Sequence, residues 1–332
     1  MRRLVFITQR VDAEHPVLAA TIPKIRALAA RVNEVFVLAQ SGRSAGLPAN
    51  VELRTFGAGA RVTRAAKFER ELLRGLPADL VVAHMIPLYV VLGAPLVRPR
   101  GIPLLLWYTQ WKSSLKLRVA ERLATAVVSV DRRSFPLDSA KVRAIGHGID
   151  VGEFACADRG DHRGGLRVLV LGRYSPAKGL GTILDAVQRV DGVELEVYGA
   201  ALNERERLHK QELERSGMEL RDAVSHAQLP ALLARADVLV SNTEPGSSDK
   251  VVFEAAASCL PVLSSNPVLG DLLAGFPLTF VRDDSASLAD RLSWLAGLEP
   301  SARSEIGRTL RERVVRGHSV DTWADGVLEA AA

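Results

Sequence analysis

Two basic residues five positions apart, Arg173 and Lys178, flank a Ser-Pro in LVLGRYSPAKGLGTIL, between a glycine that closes an apolar run and a glycine that opens an amphipathic one. A strand, a tight loop and a helix start form a natural anion cradle, because backbone amides at a helix N-terminus carry partial positive charge. Arg173 would add a planar fork for two phosphate oxygens and Lys178 a point charge, a combination better matched to a diphosphate than to a carboxylate. A solvated Gly-Pro turn with two surface cations has the same composition, and these residues alone leave both readings open.

A second patch follows some eighty residues later, in SNTEPGSSDKVVFEAAASCLPVLSS. A β-rich run, DVLVSNT, ends in a glycine and serine loop, and a helix begins near Asp249, a residue type able to cap it. Glu254 then falls in the second turn, followed by small residues that let the helix approach a sheet closely. A carboxylate there can accept hydrogen bonds from vicinal hydroxyls, as on ribose. Lys250 precedes it by four residues, so a surface ion pair worth a few tenths of a kcal/mol (roughly 0.2–0.5) is the alternative.

Both patches need a scaffold, and the chain supplies one twice. With 332 residues it exceeds the size that one core usually serves. From RRLVFIT to KVRAIGHGI short β-rich runs alternate with helical patterns, and the alternation restarts at LRVLVLG. Such alternation builds parallel sheets with helices on both faces, hence an α/β protein of two doubly wound domains whose ligands bind at the carboxyl ends of the strands. The expected domains are 1–151 and 165–315. The aperiodic, polar GEFACADRGDHRGG of 152–165 is the linker, and 316–332 is a helix that follows an interruption near Gly317 and packs back on the first domain.

Bulk properties narrow the function. Apolar residues make up 48% and charged residues 24%, an ordinary globular composition. The apolar run from Leu80 to Val97 contains His84 and two prolines and reads as strand, loop and short helix, not as a membrane span. The apolar core after MRR is too brief for a secretory signal, so a cytoplasmic location is expected. Cys156 and Cys259 lie far apart without histidine spacing, giving no reason to expect a disulfide or a metal site. The net charge of +5 suggests polyanionic company, but no nucleic-acid-binding signature accompanies it. Neither domain has a GxGxxG after its first strand, which argues against a dinucleotide oxidoreductase. Helix RVTRAAKFERELLRGL carries Arg61, Arg64, Lys67, Arg70 and Arg74, either a solvated face or a surface for anionic lipid.

The order KVRAIGHGID, LVLGRYSPAKG, LEVYGA, SHAQLPALLARADVLVSNT and KVVFEAAASCLPVLSS resembles the large retaining glycosyltransferase family with the GT-B fold, glycosyltransferase family 4. The resemblance is dense from Lys141 to about Asp283 and covers the first domain in topology only. It implies two Rossmann-like domains facing a central cleft, a nucleotide-diphosphate sugar donor (UDP- or GDP-linked) and transfer with retention. No DxD-like acidic pair follows a strand, Asp283 and Asp284 reading as a loop, so no metal cofactor is expected. On the resemblance, Arg173 and Lys178 neutralise the diphosphate and Glu254 holds the ribose hydroxyls. Val251 and Val252 bring backbone amides toward the phosphates, and Gly172, Gly199, Ser247 and Ser248 complete the donor site. The base lies against the turn from Tyr198 to Ala201 and against Ala227 and Leu229. Many relatives have a second glutamate eight residues before the one matched by Glu254, where this chain has Gly246, so Glu244 is the candidate for the sugar end. The first-domain histidine of many relatives is replaced by Gln110, leaving His84 as the catalytic candidate. Thr8, Gln9 and Arg10 follow the first strand and so face the cleft, with Arg10 and Gln110 on the acceptor side. His147 caps a turn or touches the donor. The acceptor, lipid-linked or a glycan, is unnamed, and the protein is expected in the cytoplasm, peripheral to the inner face of the cell membrane. A nucleotide-sugar-binding protein without transfer and a sugar-nucleotide epimerase are the alternatives.

Overall fold

Nearly every apolar run that alternates with a helical pattern becomes a strand, and every paired strand runs parallel to its neighbours. The structure is a computed structural model that describes all residues except 14, 16, 17, 58, 158, 160–164 and 332. It divides into two units, residues 1–148 with 317–332 and residues 149–316.

In the first unit the elements are β1 (Arg3–Val11), α1 (Thr21–Ala29), β2 (Glu34–Gly42), β3 (Val51–Thr55), α2 (Arg61–Gly75), β4 (Leu80–His84), α3 (Pro87–Val97), β5 (Leu104–Trp107), α4 (Leu115–Leu123), β6 (Ala126–Ser129) and β7 (Val142–Ala144). The sheet order is β3-β2-β1-β4-β5-β6-β7. Leu4, Val5, Phe6 and Ile7 of the inner strand β1 are all fully buried, because helices cover both faces of a parallel sheet and every side chain of such a strand must be apolar. Helices α2, α3 and α4 lie side by side on one face, joined by Phe68, Leu72, Tyr89, Val90, Leu117 and Ala120. The second unit runs β8 (Leu166–Arg173), α5 (Leu180–Val187), β9 (Val193–Ala200), α6 (Glu204–Arg215), β10 (Leu220–Asp222), α7 (Leu229–Arg235), β11 (Val238–Ser241), α8 (Lys250–Ala257), β12 (Val262–Ser264), α9 (Gly270–Leu273), α10 (Ser285–Ala296) and α11 (Pro300–His318), in sheet order β10-β9-β8-β11-β12. LTFVRD forms no strand and makes one bridge, Thr279 to Ser264. The last helix, α12 (Val320–Glu329), belongs to the first unit, where it packs on α1. Among the described residues no helix is long and apolar enough to cross a membrane.

Two expectations change. Cys156 and Cys259 form a disulfide, with Cα atoms 4.9 Å apart. Spacing gave no hint of it because the fold brings the residue after α8 beside the segment entering the second unit. That segment is also less of a free linker than its composition suggests. Phe154 is buried, and the Arg159 guanidinium donates to the carbonyls of Ala236 (2.8 Å), Ser258 (2.9 Å) and Cys259 (3.1 Å). Residues 158 and 160–164 of the expected linker lie outside the described residues.

Trp323 on α12 is fully buried, edge-on to Phe6 (6.5 Å) and Trp107 (5.6 Å), and Lys24 Nζ stands 5.5 Å from its ring. Trp323→Ala is expected to cost the first unit about 3–5 kcal/mol. The measurement is the urea midpoint of that unit's unfolding transition, and an unchanged midpoint would remove α12 from its core.

Candidate functional site

Strand β8 delivers Gly172 and Arg173 to the carboxyl edge of the second sheet. Gly172 has φ 147°, and a Cβ there would stand 2.9 Å from Lys178 Cε, so the absence of a side chain lets the lysine stem cross the strand end. A single turn at Pro176–Lys178 then reverses the chain, and α5 starts behind Gly179. Both cations have carboxylate partners. Arg173 Nη1 is 3.1 Å from Glu206 Oε1, and Lys178 Nζ is 2.6 Å from Asp249 Oδ2. Glu206 is buried and accepts a second hydrogen bond from the Leu202 amide at 2.7 Å, so its position is fixed. Arg173, with a side chain 57% exposed, is free to turn toward a ligand, whereas Lys178 is 17% exposed and held.

The neighbouring strand β11 supplies the other half. Asp249 stands at the N-cap position of α8 but does not cap it; its carboxylate turns to Lys178 and accepts from Ser247 Oγ at 3.3 Å. Asn242 donates to the Gly179 carbonyl at 3.2 Å, tying this loop to the β8 loop, and Asn266 donates to the Glu244 carbonyl at 3.3 Å. Gly246 has φ 86°, in the left-handed region, so the turn that carries it would strain under any glutamate. Glu244, half-buried, opens the same turn two residues earlier, its carbonyl accepting from the Ser247 amide at 3.3 Å. On α8, Glu254 is buried and paired with Lys250, and His226 Nε2 lies 3.0 Å from Glu254 Oε1. The ion pair expected at the surface is therefore closed over a buried carboxylate. Burial alone would raise the Glu254 pKa, but the Lys250 charge and the hydrogen bonds from His226 and Lys250 prevail and lower it to about 2.

The remaining donor-side residues fall unevenly. Gly199, the last residue but one of β9, is in register with Gly172, beside an open cavity of about 570 Å³ lined by Tyr174, Ala200, Ala201, Lys210 and Asp222. Tyr198 lies just before it and accepts from Arg221. Ala227 is exposed, and Leu229, the first residue of α7, is buried. The Val252 amide donates to the Asp249 carbonyl at 3.1 Å, a first-turn bond of α8; Val251 is half-buried and Ser248 buried. Glu206, Asp249, His226, Asn242 and Asn266 received no such roles in sequence reasoning. Only Glu206 had a local signal, since Asn203 three residues before it is a capping-box pattern, and Asn203 does accept from the Glu206 amide at 3.0 Å.

In the first unit Thr8, Gln9 and Arg10 lie within β1, not after it. Thr8 is fully buried, and its hydroxyl is 3.1 Å from His84 Nδ1. Arg10 donates to Ser41 at 3.2 Å, Gln110 is exposed after β5, and His147 is buried. Desolvation, with a smaller contribution from Lys24, lowers the His84 pKa to about 3, so the ring is neutral at neutral pH and suited to hydrogen bonding. On α2, Arg70 and Arg74 pair with buried Glu71 at 3.3 and 2.9 Å, and the helix's first two turns carry Arg61, which is exposed, and Arg64 and Lys67, which are half-buried.

Residues 165–297 match the family model described as Glycosyl transferases group 1. No curated relative matches the sequence. Among solved structures the chain is similar to Alr3699/HepE of Anabaena in complex with UDP and glucose (18% identity, 99% of each chain, TM-score 0.77). It is also similar to sucrose-phosphate synthase of Thermosynechococcus elongatus (16% identity, 99% of this chain and 97% of that one, TM-score 0.75). A third is WaaG, a glycosyltransferase involved in lipopolysaccharide biosynthesis (16% identity, 99% of each, TM-score 0.66).

His84 yields a pH prediction. Its folded pKa lies below the ordinary 6.5, so its contribution is complete above pH 6.5 and is lost as pH falls toward 3, where the unfolded chain binds the extra proton. Melting temperatures between pH 7.5 and 4 should fall for the wild type and fall less for His84→Asn; equal slopes would overturn this. The second unit matches as a Glycosyl transferases group 1 domain, and the two parallel α/β units have the fold of GT-B glycosyltransferase structures.

Proposed function

We propose that the chain transfers a sugar from a UDP- or GDP-linked donor to an acceptor, with retention of configuration and without a metal ion. The observation that carries this reading is the convergence of Arg173, Lys178 and the α8 carboxylate Glu254 on neighbouring strand ends of a Glycosyl transferases group 1 domain. Solved neighbours of the same fold are complexes with UDP and with UDP-glucose.

A glycosyl transfer breaks the bond between the anomeric carbon and the β-phosphate oxygen, and negative charge gathers on the departing diphosphate. Arg173 and Lys178 act where that charge develops, so they lower the barrier more than they tighten ground-state binding. Lys178 is held in place by Asp249 before the donor arrives. Arg173, the more exposed of the two, exchanges Glu206 for phosphate. Glu254, ionised throughout the neutral range, accepts from the ribose hydroxyls, and the groove beside Gly199 takes the base. Glu244 serves the sugar end, and acceptor attack from the face that the leaving group vacates gives retention. Arg10 and Gln110 stand on the acceptor side, and His84 is the first unit's catalytic candidate. The acceptor is lipid-linked or a glycan, met at the cytoplasmic face of an anionic membrane to which basic α2 is drawn.

A second reading, nucleotide-sugar binding without transfer, is favoured by one observation: the left-handed turn at Gly246 leaves the sugar end without its usual carboxylate. A sugar-nucleotide epimerase would need no acceptor.

The deciding experiment is a thermal-shift screen of UDP-, GDP-, ADP- and TDP-sugars, followed by nucleotide release in the presence of candidate acceptors. Selective stabilisation by a UDP- or GDP-sugar at millimolar concentration is expected, and stabilisation by none would sink the donor site. Arg173→Ala and Lys178→Ala should each lower kcat by about 10²–10³-fold, or roughly 3 kcal/mol, with circular dichroism unchanged. Wild-type turnover from both would remove them from the mechanism. Glu254→Gln should weaken nucleotide binding about tenfold or more and abolish discrimination between UDP and 2′-deoxy-UDP; retained discrimination would place the ribose elsewhere.

A further inference from the structure

We propose that the first unit docks on an anionic phospholipid bilayer through an apolar edge formed by Trp111 and the outward face of α4, with Arg118 and Arg122 engaging the headgroups. This extends the reading of a membrane-side acceptor by naming the surface that enters the lipid, and it stands whether or not transfer occurs.

The surface has the two components that interfacial binding requires. Helix α4 buries Leu117 and Ala120 against the sheet, and the opposite side presents Leu115, 77% exposed, and Val119, 37% exposed, one turn apart. Arg118 and Arg122 fall on that same outward side at helical spacing, with Lys116 at its flank, and all three face solvent. Among the described residues no carboxylate pairs with Lys116, Arg118 or Arg122. Just before the helix Trp111 is 42% exposed, and Lys112 Nζ lies 5.2 Å from its ring. An indole with an exposed Leu-Val stripe and interleaved cations is the composition of an element that lies in the plane of a headgroup region.

Topology aligns this edge with the rest of the unit. In a parallel sheet each helix begins where its strand ends, so the first turns of α2, α3 and α4 share the carboxyl edge that carries His84 and Gln110. The exposed apolar residues Val62 and Leu88 occupy those first turns in α2 and α3. Helix α2 together with residues 111–122 holds nine basic and three acidic side chains, more net positive charge than the +5 of the entire chain. Charge of that sign and density complements an anionic bilayer, and the apolar residues among it distinguish insertion from a merely solvated basic face.

The test is flotation of the full chain with vesicles of phosphatidylcholine alone or with 30% phosphatidylglycerol, combined with quenching of tryptophan by brominated lipid. Binding only to the anionic vesicles is expected, weakened at high salt, with quenching, measured in a Trp294→Phe background because Trp294 is half-buried, that disappears on Trp111→Phe since Trp107 and Trp323 are buried. Leu115→Asp with Val119→Asp should lower bound protein at least tenfold without altering the nucleotide-sugar thermal shift. Binding that survives this double change but is lost on Arg61→Ala with Arg64→Ala and Lys67→Ala would move the contact to α2 and overturn the proposal. Absence of anionic-vesicle binding would overturn it as well, while leaving the donor-site reading to its own screen.

Discussion

The ion pair between Lys178 and Asp249 is the interaction around which the second unit's working edge is organised. It joins the loops that follow two adjacent strands, β8 and β11, across 71 residues of sequence. Neither side chain is more than 17% exposed, so either residue without the other would leave a poorly solvated charge. Several local features then have one cause. Gly172 lacks a side chain because the lysine stem passes over it, Asp249 forgoes its helix cap because its carboxylate is engaged, and Asn242 adds a second tie by donating to Gly179.

The same edge satisfies its charges before any ligand is present, and it does so to different degrees. Arg173 is more than half exposed and can leave its pair, and the buried Glu206 that stays behind keeps its hydrogen bond from the Leu202 amide. Glu254 is the opposite case, a buried carboxylate ionised by Lys250 and accompanied by His226. A diphosphate can draw Arg173 out of its pair, while hydroxyls can only join Glu254 as additional donors. One position is adaptable and the other is preformed, which suits a site that must grip a charge that changes during reaction and a ribose that does not.

Much of this was legible in the sequence. Alternating apolar runs gave both sheets, because parallel strands covered on two faces must be apolar throughout, and the Gly-bounded basic loop and Glu254 stood out by type and spacing. What could not be read were partnerships made by folding. Asp249 has the identity of a cap and would be assigned as one from its neighbours alone; only the adjacency of β8 and β11 reveals the lysine. Cys156 and Cys259 carry no local spacing, and their pairing follows from where α8 ends.

The first unit makes the complementary point about charge. A net +5 over 332 residues describes no surface, and a count along α2 treats five cations alike. In the folded chain buried Glu71 pairs with both Arg70 and Arg74, so the second half of α2 carries less net charge than its cations suggest, while its first two turns hold Arg61, Arg64 and Lys67 with no acidic residue among them. Those turns share a sheet edge with Trp111 and the start of α4, where apolar side chains stand exposed among further cations. Helical periodicity identifies each amphipathic face separately, but the common edge arises from parallel topology, which sends every helix back from the same side. A surface of that kind is a property of strand order before it is a property of any one segment.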